Sequence, residues 1–261
     1  MSKPFFTIAV VSLNAEKLIK MTIDSALEQT IDDYEIIVKD GLSKDGTVSQ
    51  IPSDPKIKLY EESDKSIYDA MNQAIGHSSG KYVIFMNCGD VFASNDVLEK
   101  IKEGIGDGQY GMVYGDYTRD GIVHKQPSVL SRFYMYRTPL CHQTIFFDGE
   151  YLRDGNVYNT DYKILGDYDL ELRIMVNKPT KYINCTVCAY LGGGVSESEK
   201  GIRQKKSERE RILKNNYTKK ERVKFYVHRK LTFPKLRSKL VRSKNPMIKK
   251  LYQKTVNSLN R

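Results

Sequence analysis

The segment that decides the fold runs from Glu62-Ser-Asp-Lys-Ser-Ile-Tyr-Asp-Ala-Met-Asn72 to Lys81-Tyr-Val-Ile-Phe-Met-Asn-Cys-Gly-Asp90. A polar stretch leads into a helix, and the helix leads into the apolar run of residues 82–86. A continuous apolar run of this length is typical of a central strand that is covered on both faces. The segment therefore predicts a helix, a buried strand and an acidic turn, in that order.

The same alternation extends towards the N-terminus. Residues 6–13, 34–38 and 57–60 are further predicted strands. Apolar residues recur at helical spacing between the first two strands, at Ile19, Ile23, Ala26 and Leu27, and Asn14 is predicted to be the N-cap of that helix. The resulting β-α-β-α-β-α-β order predicts an α/β fold with a parallel, doubly wound sheet.

Acidic and amide side chains follow the predicted strands. Asp40 and Asp45 belong to two Asp-Gly pairs after the second strand, and Asn87 and Asp90 follow the fourth. In open α/β sheets, ligands bind beyond the carboxyl ends of the strands. A carboxylate there suits a divalent cation that bridges nucleotide phosphates, whereas Asn-x-Gly-Asp by itself favours a plain turn that ends the strand.

The order and spacing of five motifs carry a resemblance. They are Thr7-Ile-Ala-Val-Val-Ser-Leu-Asn14, Asp40-Gly-x-Ser-x-Asp-Gly-Thr47, Glu62-Ser-Asp-x-x-Ile-Tyr-Asp-Ala-Met-Asn72, Gly80-Lys-Tyr82 and Asn87-Cys-Gly-Asp90. Over roughly residues 5–200, the chain resembles family 2 glycosyltransferases of the GT-A fold. It is most similar to the bacterial branch, akin to colanic acid glycosyltransferases, that builds surface polysaccharides. The resemblance implies a Rossmann-like, mainly parallel sheet flanked by helices.

The resemblance also implies a nucleotide-sugar donor, with UDP as the nucleotide. Ser12 and Asn14 resemble the nucleoside-binding end of the first strand. Asp40 resembles the carboxylate that accepts a hydrogen bond from uracil, and Asp90 resembles the ligand of Mn²⁺ or Mg²⁺. Because a single charged ligand remains in this motif, the metal is expected to borrow phosphate oxygens from the nucleotide.

Four more residues belong to the implied donor site. Asp64 and Lys65 are expected beside the base and the diphosphate, and Ser66 stands where the family often has glycine. Asn72 and Asn87 complete the expected donor-binding set.

The second half of the implied chemistry lies in Leu165-Gly-Asp167-Tyr-Asp169, which opens an apolar helix. A carboxylate in a first helical turn also simply stabilises the helix dipole. In the family this step supplies the catalytic base, and Asp167 matches it better than Asp169. The implied reaction is an inverting one, in which the base takes the proton of the acceptor hydroxyl and a metal at Asp90 neutralises the leaving diphosphate.

Two other segments are assigned to the acceptor or the donor sugar. His142 belongs to a His-Gln step that resembles one in the family's acceptor half, although a lone histidine is often structural. Ser196 ends a glycine-rich segment that either closes over the donor or is a hinge. Between the two acidic motifs, Tyr114-Gly-Asp116-Tyr117 is predicted to be a strand and a turn.

Composition predicts a single α/β domain over residues 1–199 and a basic helical extension over residues 200–261. Four scattered cysteines suit buried thiols better than disulfides, and Cys185-x-x-Cys188 without a second pair is a weak zinc or redox signal. The chain has no apolar stretch of 18 residues and no convincing signal peptide. These features predict a cytoplasmic protein.

The extension carries 22 Lys and Arg against three Glu, whereas the preceding residues are acidic on balance. Residues 209–230 are predicted to be helical, and apolar residues beyond Pro234 lie on one face among Lys and Arg. This pattern favours peripheral binding to the inner face of an anionic membrane, which suits a glycan or polyprenyl-linked acceptor. A nucleic-acid contact and a protein-binding arm are the alternatives.

Two rival functions are weighed against the transferase. A nucleic-acid-binding protein with a passive sheet is disfavoured because phosphates are repelled by a crevice that carries Asp40, Asp45, Asp64 and Asp90. A transferase that has lost its activity is disfavoured because Asp90 and Asp167 are both present. We therefore predict an enzyme that does not bind nucleic acid.

Overall fold

The structure is a computed structural model that describes residues 3–191 and 199–232, together with residue 247. The strands are β1 (Phe6–Ser12), β2 (Tyr34–Asp40), β3 (Ile57–Glu61), β4 (Tyr82–Asn87), β5 (Val91–Phe92), β6 (Met112–Arg119), β7 (Ile122–His124), β8 (Ile145–Asp148) and β9 (Thr180–Ala189). The α-helices are α1 (Ile19–Leu27), α2 (Ile67–His77), α3 (Val97–Ile105), α4 (Arg132–Arg137), α5 (Gly149–Arg153), α6 (Gly166–Asn177), α7 (Glu199–Asn216) and α8 (Lys219–Thr232). Two short 3₁₀ helices occupy Val48–Gln50 and His142–Thr144.

The described strands form one mixed sheet in the order β3-β2-β1-β4-β8-β6-β9-β5, and β7 pairs with β6. Strands β3, β2, β1 and β4 run parallel to one another. Strand β8 is antiparallel to both β4 and β6, and β9 is parallel to β6. The predicted α/β fold with a mainly parallel sheet and flanking helices is confirmed.

Strand β4 explains why the central run of the sequence is apolar at every position. Val83 and Phe85 enter a core on one face of the sheet, which helices α2 and α6 cover. Tyr82, Ile84 and Met86 enter a second core on the other face, which helices α1 and α3 cover. Both faces are closed to water, and burial of each such side chain contributes roughly 1.5–3 kcal/mol.

Helix α1 begins later than the sequence predicts. It starts at Ile19 and has no side-chain cap, and Asn14 has a positive φ of 51° in the preceding loop. The Asn14 side chain accepts a hydrogen bond from the Lys44 N–H at 2.9 Å, and the backbone N–H of Asn14 donates to Ser43 Oγ at 2.8 Å. The prediction of an N-cap was wrong because the side chain joins two polar loops instead.

The predicted strand and turn at residues 114–117 is corrected too, since these residues lie wholly within β6. A side chain at Gly115 would place its Cβ 2.4 Å from the carbonyl oxygen of Cys185, so glycine there permits close pairing with β9. The turn falls at Asp120 and Gly121, which have positive φ values of 53° and 74°. Two positive φ values suit the tight hairpin between β6 and β7.

Helices α7 and α8 are part of the main core. The core under α2 and α6 also contains side chains of α7, α8 and the residue between them. These are Ile212, Tyr217 and Phe225, which are almost completely buried. The charged segment predicted to be helical is two helices that meet near Tyr217. Placement of a domain boundary at residue 199 stays a prediction, since the described part of the extension packs on the sheet domain.

The four cysteines are free thiols, as predicted, and Cys185 and Cys188 are buried. Within the described residues, no helix combines the length and apolar character needed to cross a bilayer.

Candidate active site

The ends of β1 and β2 meet at a buried carboxylate. Ser12 Oγ donates to Asp40 Oδ2 at 2.8 Å, because the two residues are paired in the parallel register of the strands. Ser43 donates twice to the same carboxylate, through N–H to Oδ1 and through Oγ to Oδ2, both at 2.7 Å. Asp40 is fully buried and so holds the turn after β2 in shape. A hydrogen bond from the uracil base of the donor to Asp40 stays a prediction.

Next to it, a fully buried lysine pairs with a loop carboxylate. Lys39 Nζ lies within hydrogen-bond distance of Asp64 Oδ2, and the exposed part of the Asp64 side chain is 13%. This ion pair fixes the loop that leads into α2, where Lys65 is exposed and its N–H donates to Asp69 Oδ2 at 2.8 Å. Asp64 and Lys65 therefore stand at the same edge of the sheet as Asp40.

Asn72 has a different place. Its Nδ2 donates to the carbonyl oxygen of Tyr158 at 2.9 Å, and its Oδ1 accepts from Tyr158 N–H at 2.9 Å. Both ends of the amide thus hold the backbone of the loop before α6. The structure gives Asn72 this structural role, and a donor contact stays a prediction.

The turn after β4 carries Asn87 and Asp90. Gly89 has a φ of 103°, which favours glycine, and a Cβ there would lie 2.7 Å from Leu191 Cδ2. The Asp90 carboxylate accepts from Gln143 Nε2 and from Leu191 N–H, each at 2.9 Å. Burial raises the pKa of Asp90, and those two hydrogen bonds oppose the rise.

The oxygen atoms of this turn suit a hard cation. Among the described residues, Asn87 Oδ1 is buried without a hydrogen-bond partner, and each Asp90 oxygen accepts a single hydrogen bond, which leaves a lone pair. Mg²⁺ and Mn²⁺ prefer such oxygen ligands. In the described part of the chain, no three His, Cys, Asp or Glu side chains cluster to hold a metal. The residues therefore fit a cation that needs further oxygens from a bound ligand.

Asp167 lies in the first turn of α6 and faces a cavity. Its Oδ1 accepts from Tyr68 OH at 3.3 Å and from the Tyr168 N–H at 2.9 Å. Its Oδ2 lies 3.5 Å from Nδ1 of His142. About 18% of the side chain is exposed, so the carboxylate is held by the protein and remains open to a ligand.

One imidazole joins the two acidic motifs. His142 Nε2 lies 3.3 Å from Asn87 Nδ2, and Nδ1 faces Asp167. The imidazole therefore has the Asn87 amide at one ring nitrogen and the Asp167 carboxylate at the other. The predicted metal turn and the predicted base are therefore one histidine side chain apart.

Asp169 does not face the cavity. Arg173 Nε donates to its Oδ2 at 2.9 Å, and Asn216 Nδ2 donates to its Oδ1 at 3.3 Å. This buried carboxylate joins α6 to the end of α7. The geometry favours Asp167 over Asp169 as the base, and Ser196 lies outside the described residues.

Two residues beside Asp167 were not predicted from the sequence. Glu171 is fully buried one helical turn after Asp167, and Leu140 N–H donates to its Oε2 at 3.0 Å. Burial, and then the nearby Asp167 charge, raise the pKa of Glu171 well above its usual range. Tyr68 was also missed. The spacing of four between Asp167 and Glu171 was the available signal.

A cavity of about 1300 Å³ opens in front of Asp167. Its lining includes Asn87, His142, Tyr68 and part of α7. Ser12, Asp40 and Asp64 are not among its lining residues, whereas the predicted donor-binding residue Asn87 is.

The model of Glycosyl transferase family 2 matches residues 7–160, which is more than half of the chain. The chain belongs to glycosyl transferase family 2. A curated relative is the PGL/p-HBAD biosynthesis glycosyltransferase of Mycobacterium bovis, with 27% identity over 76% of this chain and 81% of the relative. An uncharacterized glycosyltransferase of Haemophilus influenzae is 26% identical over 80% and 73% of the two chains. The protein is a glycosyltransferase.

Solved structures share its fold. S. aureus TarS in complex with UDP-GlcNAc superposes with a TM-score of 0.66 at 15% identity, over 97% of this chain and 80% of that chain. The mannosyltransferase PcManGT of Pyrobaculum calidifontis, in complex with GDP-Man and Mn²⁺, gives 0.62 at 17% identity, over 100% and 85%. Both confirm the predicted GT-A glycosyltransferase fold.

Proposed function

We propose that this glycosyltransferase moves a hexosyl or N-acetylhexosaminyl group from a UDP-sugar to a glycan or lipid-linked saccharide, with inversion, in bacterial surface polysaccharide synthesis. The observation that carries the proposal is the bridge from Asn87 through His142 to Asp167. It brings a candidate cation site and a candidate base to the two sides of one reaction centre.

The chain's own residues have defined tasks in this proposal. Asp167 Oδ2 accepts the proton of the acceptor hydroxyl, while Tyr68 OH and the Tyr168 N–H hold Oδ1 in place. His142 Nδ1 faces Oδ2 and steadies its charge. Glu171 favours its neutral form because of burial, which avoids a second negative charge beside the base.

Asp90 and Asn87 Oδ1 are the groups that would hold Mn²⁺ or Mg²⁺, whose positive charge stabilises a leaving diphosphate. Gln143 and Leu191 orient the Asp90 carboxylate for this purpose. Support for a nucleotide sugar comes from two fold neighbours, TarS in complex with UDP-GlcNAc and PcManGT in complex with GDP-Man and Mn²⁺.

A peripheral site at the inner face of the membrane is the second part of the proposal. Support comes from α8, whose outer face exposes Val223, Tyr226 and Val227 among the exposed Lys219 and Lys230. Apolar groups at a spacing of three and four residues with flanking cations suit an interfacial helix. The residues that follow Thr232 include many Lys and Arg. Apart from Met247, these residues lie outside the part of the chain that the structure describes.

Calorimetry tests the donor assignment. UDP and GDP are each titrated into the full-length protein with and without Mn²⁺, and we expect UDP to bind more tightly than GDP and Mn²⁺ to strengthen UDP binding. Asp90→Asn should remove the effect of Mn²⁺, whereas Asp96→Asn, at a partly exposed carboxylate that pairs with Lys100, should preserve it. Binding of GDP without binding of UDP would show that the donor assignment is wrong.

A further inference from the structure

Helix α7 lines the cavity with cations. Ile202, Lys205, Lys206 and Arg209 all line it, and their spacing of three, four and seven residues places them on one stripe of the helix. The adjacent stripe, which includes Glu208 and Ile212, is buried against the domain. The packing of α7 therefore fixes which of its basic residues face the cavity.

Other segments add to this charge. Arg137 at the end of α4 and Lys163 in the loop before α6 line the same cavity. We call Arg137, Lys163, Lys205, Lys206 and Arg209 the cationic wall. Asp167 is the one carboxylate among the described residues that line the cavity, so the charge there is strongly positive on balance.

The cationic wall is not neutralised by the domain. Within the described residues, none of its five members lies within 4.0 Å of a carboxylate, in contrast to Lys125, whose Nζ is 2.7 Å from Asp116 Oδ2. Arg209 Nη2 donates to the carbonyl oxygen of Tyr136, and its guanidinium lies 5.7 Å from the centre of the Tyr168 ring. These contacts orient Arg209 and leave its charge uncompensated.

Cations gathered on one concave surface raise the local concentration of anions and bind them. Lysine and arginine together suit phosphate, because the ammonium acts as a point charge and the guanidinium donates in pairs. A ligand with one carboxylate would balance only one of the five positive charges. A diphosphate carries several negative charges and therefore matches the wall better. The chemistry of the wall therefore selects a phosphate or diphosphate.

The donor and the acceptor are two possible sources of such a group. The predicted nucleoside residues Ser12, Asp40 and Asp64 do not line the cavity. The base does, and in an inverting attack the base and the leaving diphosphate stand on opposite faces of the sugar. Asn87 lines the cavity at its donor end. The Arg209 guanidinium of the wall lies 5.7 Å from the ring of Tyr168, the residue that follows the base, so we place the wall beside the base, on the acceptor side of the reaction centre.

We propose that the cationic wall binds a phosphate or diphosphate group of the acceptor substrate. This inference rests on the proposed function, because it takes Asp167 to be the group that contacts the acceptor hydroxyl. The wall then orients the acceptor by its phosphate, and an acceptor without that group is a poor substrate.

Inorganic diphosphate is the probe, and UDP at saturation blocks the donor site. The variant Lys205→Gln/Lys206→Gln is compared with Arg203→Gln, which changes an exposed cation of the same helix that does not line the cavity. We expect the double variant to weaken diphosphate binding to the UDP-saturated protein by about tenfold, and its affinity for UDP to change by less than about twofold. Arg203→Gln should change neither affinity, and added salt should weaken diphosphate binding.

The remaining outcomes separate this inference from the proposed function. If diphosphate does not bind the UDP-saturated wild type, or if the double variant weakens UDP as much as diphosphate, the inference is overturned while the donor assignment stands. If UDP does not bind at all, diphosphate is titrated into the free protein. Loss of that binding in the double variant then supports the phosphate site and contradicts the proposed function, whereas unchanged binding overturns both.

Discussion

His142 Nδ1 lies 3.5 Å from Asp167 Oδ2, and its other ring nitrogen faces Asn87 at 3.3 Å. A ring with a polar side chain beside each nitrogen is restricted in its orientation. His142 is therefore a positioning residue for the base, although it comes from a 3₁₀ segment and Asp167 from α6.

We expect His142→Gln to lower turnover roughly 10- to 100-fold, since the base loses its partner. The affinity for UDP should be unchanged, and the acid limb of the pH–rate profile should shift. His124→Gln is the matched control, because His124 lines the same cavity and stacks on Tyr117 instead. Equal turnover and equal pH profiles in the two variants would assign His142 a packing role.

Asp167→Asn and Asp169→Asn should separate chemistry from stability. Asparagine at 167 cannot accept the acceptor proton, so turnover should be lost while donor binding and melting temperature stay near the wild type. Asparagine at 169 weakens a buried pair with Arg173, which should lower the melting temperature and preserve most turnover. Turnover assays and thermal scans on both variants measure these effects. Loss of turnover in Asp169→Asn with normal turnover in Asp167→Asn would make Asp169 the base.

The anomeric configuration of the product, measured by NMR, should be opposite to that of the donor.

Glu171→Gln should change how stability depends on pH. The pKa of Glu171 is raised well above 4.5 in the folded state, so folding is favoured where the side chain is neutral and is weakened as the pH rises above that value. A neutral amide lacks this dependence. The variant should therefore gain stability relative to the wild type between pH 5 and pH 8, on the scale of about 1.4 kcal/mol per pKa unit, and resemble it below pH 4. Urea unfolding at several pH values measures this, and a variant that loses stability at pH 8 would show that the ionised form is needed.

Glu208 attaches α7 to the loop before the base. Its carboxylate accepts from the N–H groups of Lys163, Ile164 and Leu165 at 2.7, 3.0 and 2.9 Å. Glu208→Ala should leave these buried donors unpaired and destabilise the fold by roughly 1–3 kcal/mol. Glu210→Ala, which removes an exposed carboxylate of the same helix, should cost less than about 0.5 kcal/mol in urea unfolding.

Ionisation of Glu208 should also make the stability of the protein depend on pH in the acid range. Burial opposes ionisation of Glu208, but hydrogen bonds from Gln204 and the three backbone N–H groups prevail, and its pKa is lowered. Its stabilising effect is thus present above pH 4.5 and is lost as the pH falls through the lowered pKa. The difference in free energy of unfolding between wild type and Glu208→Ala should decrease below pH 4. A difference that does not change with pH would show that ionisation of Glu208 does not contribute to stability.

Removal of residues 234–261 should release the protein from anionic vesicles in flotation assays and leave UDP binding intact. High salt should weaken attachment of the full-length protein only in part, because charge attraction is screened whereas apolar burial is not. Tyr226→Ser/Val227→Ser tests the outer face of α8, with Val123→Ser, at an exposed residue of β7, as the control. Failure of the full-length protein to float at low salt would favour a protein-binding arm.

The sequence by itself determined the first four strands of the sheet. The apolar run of β4 demanded burial on both faces, and the alternation of strands and helices demanded parallel pairing, so the acidic turns had to meet at one edge. Composition indicated the basic character of the extension, whereas only the resemblance to family 2 glycosyltransferases indicated Asp167. Periodicity, turn chemistry and composition are properties of neighbouring residues, so the sequence reports them directly.

Tertiary structure alone decided which polar groups face a ligand. Asn14 and Asn72 had suitable sequence positions, yet their amides bind distant backbone at Lys44 and Tyr158. His142 meets Asp167 only because β8 is inserted antiparallel beside β4, and α7 presents its cations to the cavity only because its other stripe is buried. Such contacts join residues far apart in the chain, and no local pattern fixes the direction in which a side chain then points.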